Sequence, residues 1–281
     1  MLLKSWPAEM DIGTLGQLAD GLFIFAMTTV KFIGDERHHE PQRQLEILTS
    51  KAASYGSHCL LDDLYLQVLE SAFPDISESL SAQLKSILGS IVLIKDLLPP
   101  AGLSHLIALS LETVYASLSS LHSVLVVPEH GDSTASIHII HPTFAEFLVD
   151  SERCTNSSFA VDTRHRHTLL LRSCLEALRR GLKRDICNIR DPSLLNIEVP
   201  DLPDRLAKAI PLYLQYACRH WSAHLSSEDL PDEILDALVD FSEHQLVYWL
   251  EACSLLGILT NAISALNESQ LQFTASHSLI S

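Results

Sequence analysis

His141 is the residue best placed to do chemistry. Its imidazole stands where an alternating stretch, Ala135 to His141, gives way to a helical one beginning at Pro142. A cationic or hydrogen-donating ring at such a junction suits a diphosphate. The plainer role for the same ring is to cap the helix or to pair locally. A second candidate is a basic face. From Arg164 to Arg190 there are eight basic residues, among them Arg172, Arg179, Arg180, Lys183 and Arg184, opposed only by Glu176 and Asp185. From Trp221 to Ser281 there is no Lys or Arg, and acidic residues accumulate instead. Such runs are two solvated helix faces, two segments that dock on each other, or an anion site on the basic helix.

Other constellations are incomplete. His38 and His39, His165 and His167, and Cys154 hint at a metal, but no second ligand pair stands at finger-like spacing. On a helix, His165 and His167 project from different faces. No Gly-x-Ser-x-Gly elbow marks a nucleophile. None of the ten glycines is followed by Lys, so no phosphate-cradling Gly-x-x-x-x-Gly-Lys-Ser/Thr loop exists in this sequence. Trp6, Trp221 and Trp249 read as core anchors rather than stacking platforms.

These side chains have to be positioned by helices. The chain has 281 residues, of which 47% are hydrophobic and 19% charged. That is enough for two or three small domains. With 10 Gly and 12 Pro, long elements are rarely interrupted. Abundant Leu, Ala and Ser favour helix. The fold class expected is mainly α, multi-helical, with one small winged-helix unit containing a β-hairpin. A formal net charge of −16 opposes nucleic acid and anionic membranes. The six cysteines are scattered singly through apolar helical runs, as buried thiols are, and no signal peptide opens the chain. A reducing cytoplasmic setting is expected. Gly21 to Ile33 is apolar but too short to span a bilayer. Leu103 to Val127 is long enough but carries Glu112, which would cost about 3 kcal/mol in a membrane, so a buried helical hairpin is expected there.

Along the chain, residues 11–33 read as two short helices, the second from Ala19 to Ile33. Gln42–Ser54, Leu60–Ala72, Leu80–Ile94, Ala101–Ala108 and Leu111–His122 follow, on helical periodicity. From Ser123 to Pro128 the period changes to a β-branched run, a turn occupies Glu129 to Asp132, and Ala135–His141 alternates. Helix, helix, helix, strand, turn, strand is the order of a winged helix. Its third helix would enter a DNA groove, yet holds Glu112 and no Lys or Arg, and residues 79–150 carry a net charge of −4. Pro142 opens another helix, His165–Leu182 is long, Cys187–Asp204 is a connection, and Leu206–Leu225 and Pro231–Ser264 are further helices.

Several stretches, in order, resemble the region that follows the nucleotide-binding core in fungal NACHT-type NTPases. They are Trp6-Pro7, Ala19–Ala26, Lys31–Ile33, Leu61–Leu69, Leu121–Leu125, His141–Leu148, Tyr216–Trp221 and Phe241–Gly257. The resemblance implies the regulatory half of an NLR-like signal-transduction switch. Residues 1–40 would end the NACHT-like module, 41–78 form a helical linker domain, 79–150 a winged helix and 151–281 a helical arm. It also implies that His141 sits where such a histidine touches bound ADP. The phosphate loop and the Mg²⁺-binding acidic strand of the family are missing, so no NTPase activity is expected, and no cofactor unless a nucleotide core supplies ADP or ATP. Expected partners are proteins or the missing domains of a longer protein, with no nucleic acid and no membrane span. The alternative is an independent all-helical adaptor that binds a protein through an exposed apolar face. Nearly the whole circumference of residues 21–33 is apolar, so part of it is expected to lie exposed and to promote self-association.

Overall fold

The structure is a computed structural model that describes residues 6–34, 40–51, 60–132, 135–225 and 230–278. It is mainly helical, with one two-stranded antiparallel sheet among the described residues. In chain order the elements are α1 (Glu9–Ala19), α2 (Phe23–Ile33), α3 (Pro41–Lys51), α4 (Leu60–Ala72), α5 (Glu78–Leu93), α6 (Pro100–Leu106) and α7 (Leu111–Leu118). Strands β1 (Leu125–Val126) and β2 (His138–Ile139) follow. Then come α8 (Pro142–Val149), α9 (Thr163–Gly181), α10 (Leu202–Ala209), α11 (Leu212–His220), α12 (Asp232–Asp240), α13 (Leu246–Leu255) and α14 (Leu259–Ser278). Residues Phe241–Gln245, between α12 and α13, form a π-helical turn.

Local chemistry explains most of the boundaries. Asp62 and Asp63 lie in the first turn of α4, where negative charge suits the helix dipole, and Phe73-Pro74 stops it. The second helix begins at Phe23 rather than Ala19, because Asp20 (φ 41°) and Gly21 (φ 78°) take left-handed conformations that end α1. Such a residue just past the last turn is a common helix stop. The expected helix over Leu206–Leu225 is two helices, α10 and α11, separated at Pro211, whose ring forbids the helical hydrogen bond. Part of the expected connection, Leu202–Asp204, is already the first turn of α10. The expected run Pro231–Ser264 is α12, α13 and the start of α14, the last two parted at Gly257 with φ 70°. The apolar stretch Leu103–Val127 is α6, α7 and β1, broken after α6 by Ala108 at φ 55°. No single helix among the described residues is long and apolar enough to cross a membrane.

The chain divides into two compact units, residues 1–92 with 112–162 and residues 93–111 with 163–281. In the first, the ring of Tyr65 on α4 meets Phe144 edge-on at 5.1 Å and Phe147 at 5.6 Å, both on α8. Edge-on contact sets the positive rim of one ring against the negative face of the other. Leu64, Val68, Leu84, Ile87, Val114 and Leu118 complete this core at the helical spacings expected of buried faces. The sheet is short. Leu125 pairs with Ile139 and Val126 with His138, and the Ile140 N–H donates to the Val124 carbonyl at 3.0 Å.

In the second unit α9 is the central helix, packed by α6, α11, α12 and the π-helical turn. Gly181 ends α9 where α11 comes close: a Cβ there would lie 2.6 Å from a Leu214 methyl. A larger residue there would push the Leu214 side chain aside. Trp221, Phe241 and Trp249 cluster with ring centres 5.2 to 6.1 Å apart, and the Trp249 indole N–H donates to the Cys218 carbonyl at 3.0 Å.

Candidate functional site

His141 is the N-cap of α8. Its Nδ1 accepts the Thr143 backbone N–H at 3.3 Å and lies 2.9 Å from the Thr143 hydroxyl. That hydroxyl is 2.7 Å from the Tyr65 phenol. Because Nδ1 receives a backbone N–H it carries no proton, so the Thr143 hydroxyl donates to it and Tyr65 donates to Thr143. Only Nε2 of His141 is left to meet anything else. Loss of a cap costs about 1 kcal/mol, so this ring serves the helix start whatever further role it has.

The five basic residues expected to form an interaction face lie on α9 and just beyond it, and most of the face is already paired. Arg179 reaches both oxygens of Glu176 at 2.8 Å, and Arg180 pairs with the same carboxylate. Arg172 contacts Glu233 of the acidic α12 at 3.7 Å, with both side chains exposed. An exposed ion pair of this kind is worth less than about 1 kcal/mol. Lys183 and Arg184 follow α9 and are exposed.

Two arrangements were not legible as sites. The first is a buried relay in the second unit. The Lys95 backbone N–H donates to the Tyr216 hydroxyl at 3.2 Å, and that hydroxyl lies 2.7 Å from Nε2 of His224. Nδ1 of His224 in turn lies 2.9 Å from Nδ1 of His167. Tyr216 accepts from Lys95, and its own O–H proton finds an acceptor in Nε2 of His224; the tautomer that satisfies this hydroxyl carries its proton on Nδ1 and donates it to His167. His224 is 1% exposed. Burial, reinforced by His167, Lys95 and His220, pulls its pKa down to about 3. Burial and then Lys95 lower His167 as well. Nearby, His220 holds the Asp96 carboxyl at 2.8 Å and keeps it below its ordinary range, with Arg219 helping.

The second is an open apolar groove of about 540 Å³ in the first unit. Ile12, Leu15 and Ala19 of α1 face Ala26, Val30 and Ile33 of α2 across it, with Trp6 at its rim. Phe25 and Phe32, on the opposite face of α2, are 2% exposed, whereas Phe23 is 78% and Val30 69% exposed. The apolar circumference of α2 is therefore half covered within the chain: residues on its inner face are buried and a stripe faces outward.

Cys154, Cys174, Cys187, Cys218 and Cys253 are buried free thiols. Burial, the first cause, pushes Cys154 up to about 11 and raises Cys174 and Cys187 too. These sulfurs stay protonated and unreactive. Among the described residues no three His, Cys, Asp or Glu side chains come together as a metal would need. His38 and His39 lie outside the described residues.

No family model matches the chain, and no solved structure matches it. It is 23% identical to the vegetative incompatibility protein HET-E-1 of Podospora anserina, in a 242-residue alignment that covers 78% of this chain. That alignment takes in 17% of the length of HET-E-1, so the chain corresponds to a minor part of the relative it matches. At this level of identity the chain is similar, at a distance, to a fungal protein of vegetative incompatibility.

Proposed function

We propose that this chain is a non-catalytic regulatory and scaffold region of a fungal NACHT-type switch protein, working through contacts with neighbouring domains or protein partners. The observation that carries this reading is the outward apolar stripe of α1 and α2. A helix exposing Phe23 and Val30 to water presents surface that another protein covers. The distant similarity to HET-E-1 over a small part of its length agrees with a region that acts inside a larger assembly. In this reading α5, α7, β1 and β2 of the first unit serve packing in the manner of a winged helix, since α7 carries Glu112 and no basic residue to meet DNA. His141 contributes through Nε2 when a nucleotide core is present, and the buried thiols suit a cytoplasmic setting.

The reading is tested by mixing the chain with a purified nucleotide-binding module of the fungal NACHT type. A stable complex that protects α1 and α2 from hydrogen exchange is expected, together with no phosphate release from ATP or GTP by the chain alone. Failure to associate with such a module, or phosphate release that a mutation in this chain abolishes, overturns it.

A further inference from the structure

The geometry points to one occupant for the groove between α1 and α2: a single amphipathic helix with basic residues along its polar flank, supplied by a partner protein. This inference rests on the reading of the chain as a protein-contact region and names the partner's chemistry. Two walls are apolar stripes at helical spacing, Ile12-Leu15-Ala19 and Ala26-Val30-Ile33, Pro41 and Leu45 of α3 line a further side, and no ionisable side chain among the described residues lines the space. Each stripe covers about two helical turns, roughly 10 Å of helix. Two facing stripes of that length accept the i, i+3 or i+4, i+7 positions of a third helix, as in helix-in-groove recognition. Gly16 also lines the groove, and a Cβ there would meet nothing within 4 Å. The occupant's backbone can therefore approach α1 closely.

Charge selects among the possible occupants. Glu9 and Asp11 stand in the first turn of α1 and Asp20 at its end, and α1 carries no basic residue. On the other side Lys31 is the basic residue of α2, and Arg43 of α3 is paired with Glu40 at 2.9 Å. A partner flanked by Lys or Arg complements that rim. A second copy of this chain brings another net charge of −16, and an anionic membrane is repelled by the same charge.

The test uses the full chain and two labelled model helices of roughly three turns, both with a leucine stripe, one flanked by Lys and the other by Glu. Fluorescence anisotropy reads binding, and a blue shift of Trp6 emission, absent in Trp6→Phe, reads occupancy of the rim. The Lys-flanked helix is expected to bind, and about tenfold more tightly than the Glu-flanked one. Val30→Asp, and separately Gly16→Leu, which fills the groove at an open position, should each weaken it by about tenfold or more. No binding of the Lys-flanked helix, equal binding of both helices, or unchanged binding in both variants would overturn the inference. Association with a nucleotide-binding module that survives Val30→Asp sinks the groove's role alone. Groove-dependent peptide binding without any such association sinks the broader reading alone.

Discussion

Nδ1 of His224 lies 2.9 Å from Nδ1 of His167, and the proton between them belongs to His224. It cannot sit elsewhere on that ring, because Nε2 receives the Tyr216 hydroxyl. The folded second unit therefore holds two neutral histidines side by side. A proton added to either would bring a charge against its neighbour. Lys95 and His220 face the same spot, and Asp96 is engaged by His220 and Arg219.

Acid should therefore loosen the second unit at a pH set by this pair. The unfolded chain takes up a proton at His224 near its ordinary pKa of about 6.5, whereas the folded chain holds off until about 3. Stability from this group is fully present above about pH 6.5 and is lost as pH falls through that window. At pH 5 the loss from His224 is roughly 2 kcal/mol, and His167 adds in the same direction. Asp96, with its pKa lowered, acts in the same sense only below the ordinary carboxylate range. Urea unfolding followed by tryptophan emission at pH 5, 6 and 7 checks this. His224→Gln should flatten the dependence while lowering stability at pH 7. A wild-type profile that is flat from pH 7 to 5 would refute it.

Asp62 at the start of α4 receives a two-pronged contact from Arg153, from Nη2 at 2.7 Å and from Nε at 3.0 Å. Both side chains are partly buried, and the pair fastens the loop after α8 to α4. Asp62→Asn should cost about 2 kcal/mol. Arg153→Lys should recover little of what Arg153→Ala loses, because an ammonium cannot make the fork. Thermal melts of the three variants decide it, and equal melting of Arg153→Lys and wild type would count against the bidentate contact.

Val124 is buried where the chain passes from α7 into β1, and its carbonyl receives Ile140 across the hairpin. Val124→Asp would place a charge there with no partner, at a cost of several kcal/mol. Circular dichroism should show loss of cooperative unfolding in the first unit. A variant that melts within a few degrees of wild type would show that the hairpin base tolerates water.

How much of this is legible in the sequence depends on whether the signal is local. The bounds of α4 can be read to the residue, since two aspartates open it and Phe73-Pro74 closes it within one stretch. The change of period at Ser123 marks the hairpin for the same reason, although each paired strand is two residues long. The start of α2 is obscured because hydrophobicity runs on past Asp20 and Gly21, and their left-handed backbone outweighs it. Pro211 is a visible stop inside Leu206–Leu225 that the apolar period masks. His141 is legible as a helix start, and the structure seats it there. The relay is not legible, because His167 and His224 stand 57 residues apart and only the packing of α9 against α11 and the turn after it joins them. The basic run is visible, and so is the i, i+3 and i, i+4 spacing of Glu176 to Arg179 and Arg180, but the contact of Arg172 with Glu233 is not, since charge counts carry no long-range geometry.

The π-helical turn between α12 and α13 has a consequence for the length of this chain over time. At about 100° per residue, Phe241 and Trp249 would stand about 80° out of phase in a regular α-helix, yet both are buried in one cluster. The turn absorbs one surplus residue, in the way a single-residue insertion is accommodated without rotating everything downstream. Removing Glu243, which is exposed, brings the two aromatics to about seven residues apart, within about 20° of a common face. The shortened chain should fold with an uninterrupted helix and an unchanged tryptophan environment. If it unfolds instead, the turn is a required bend and not the scar of an added residue.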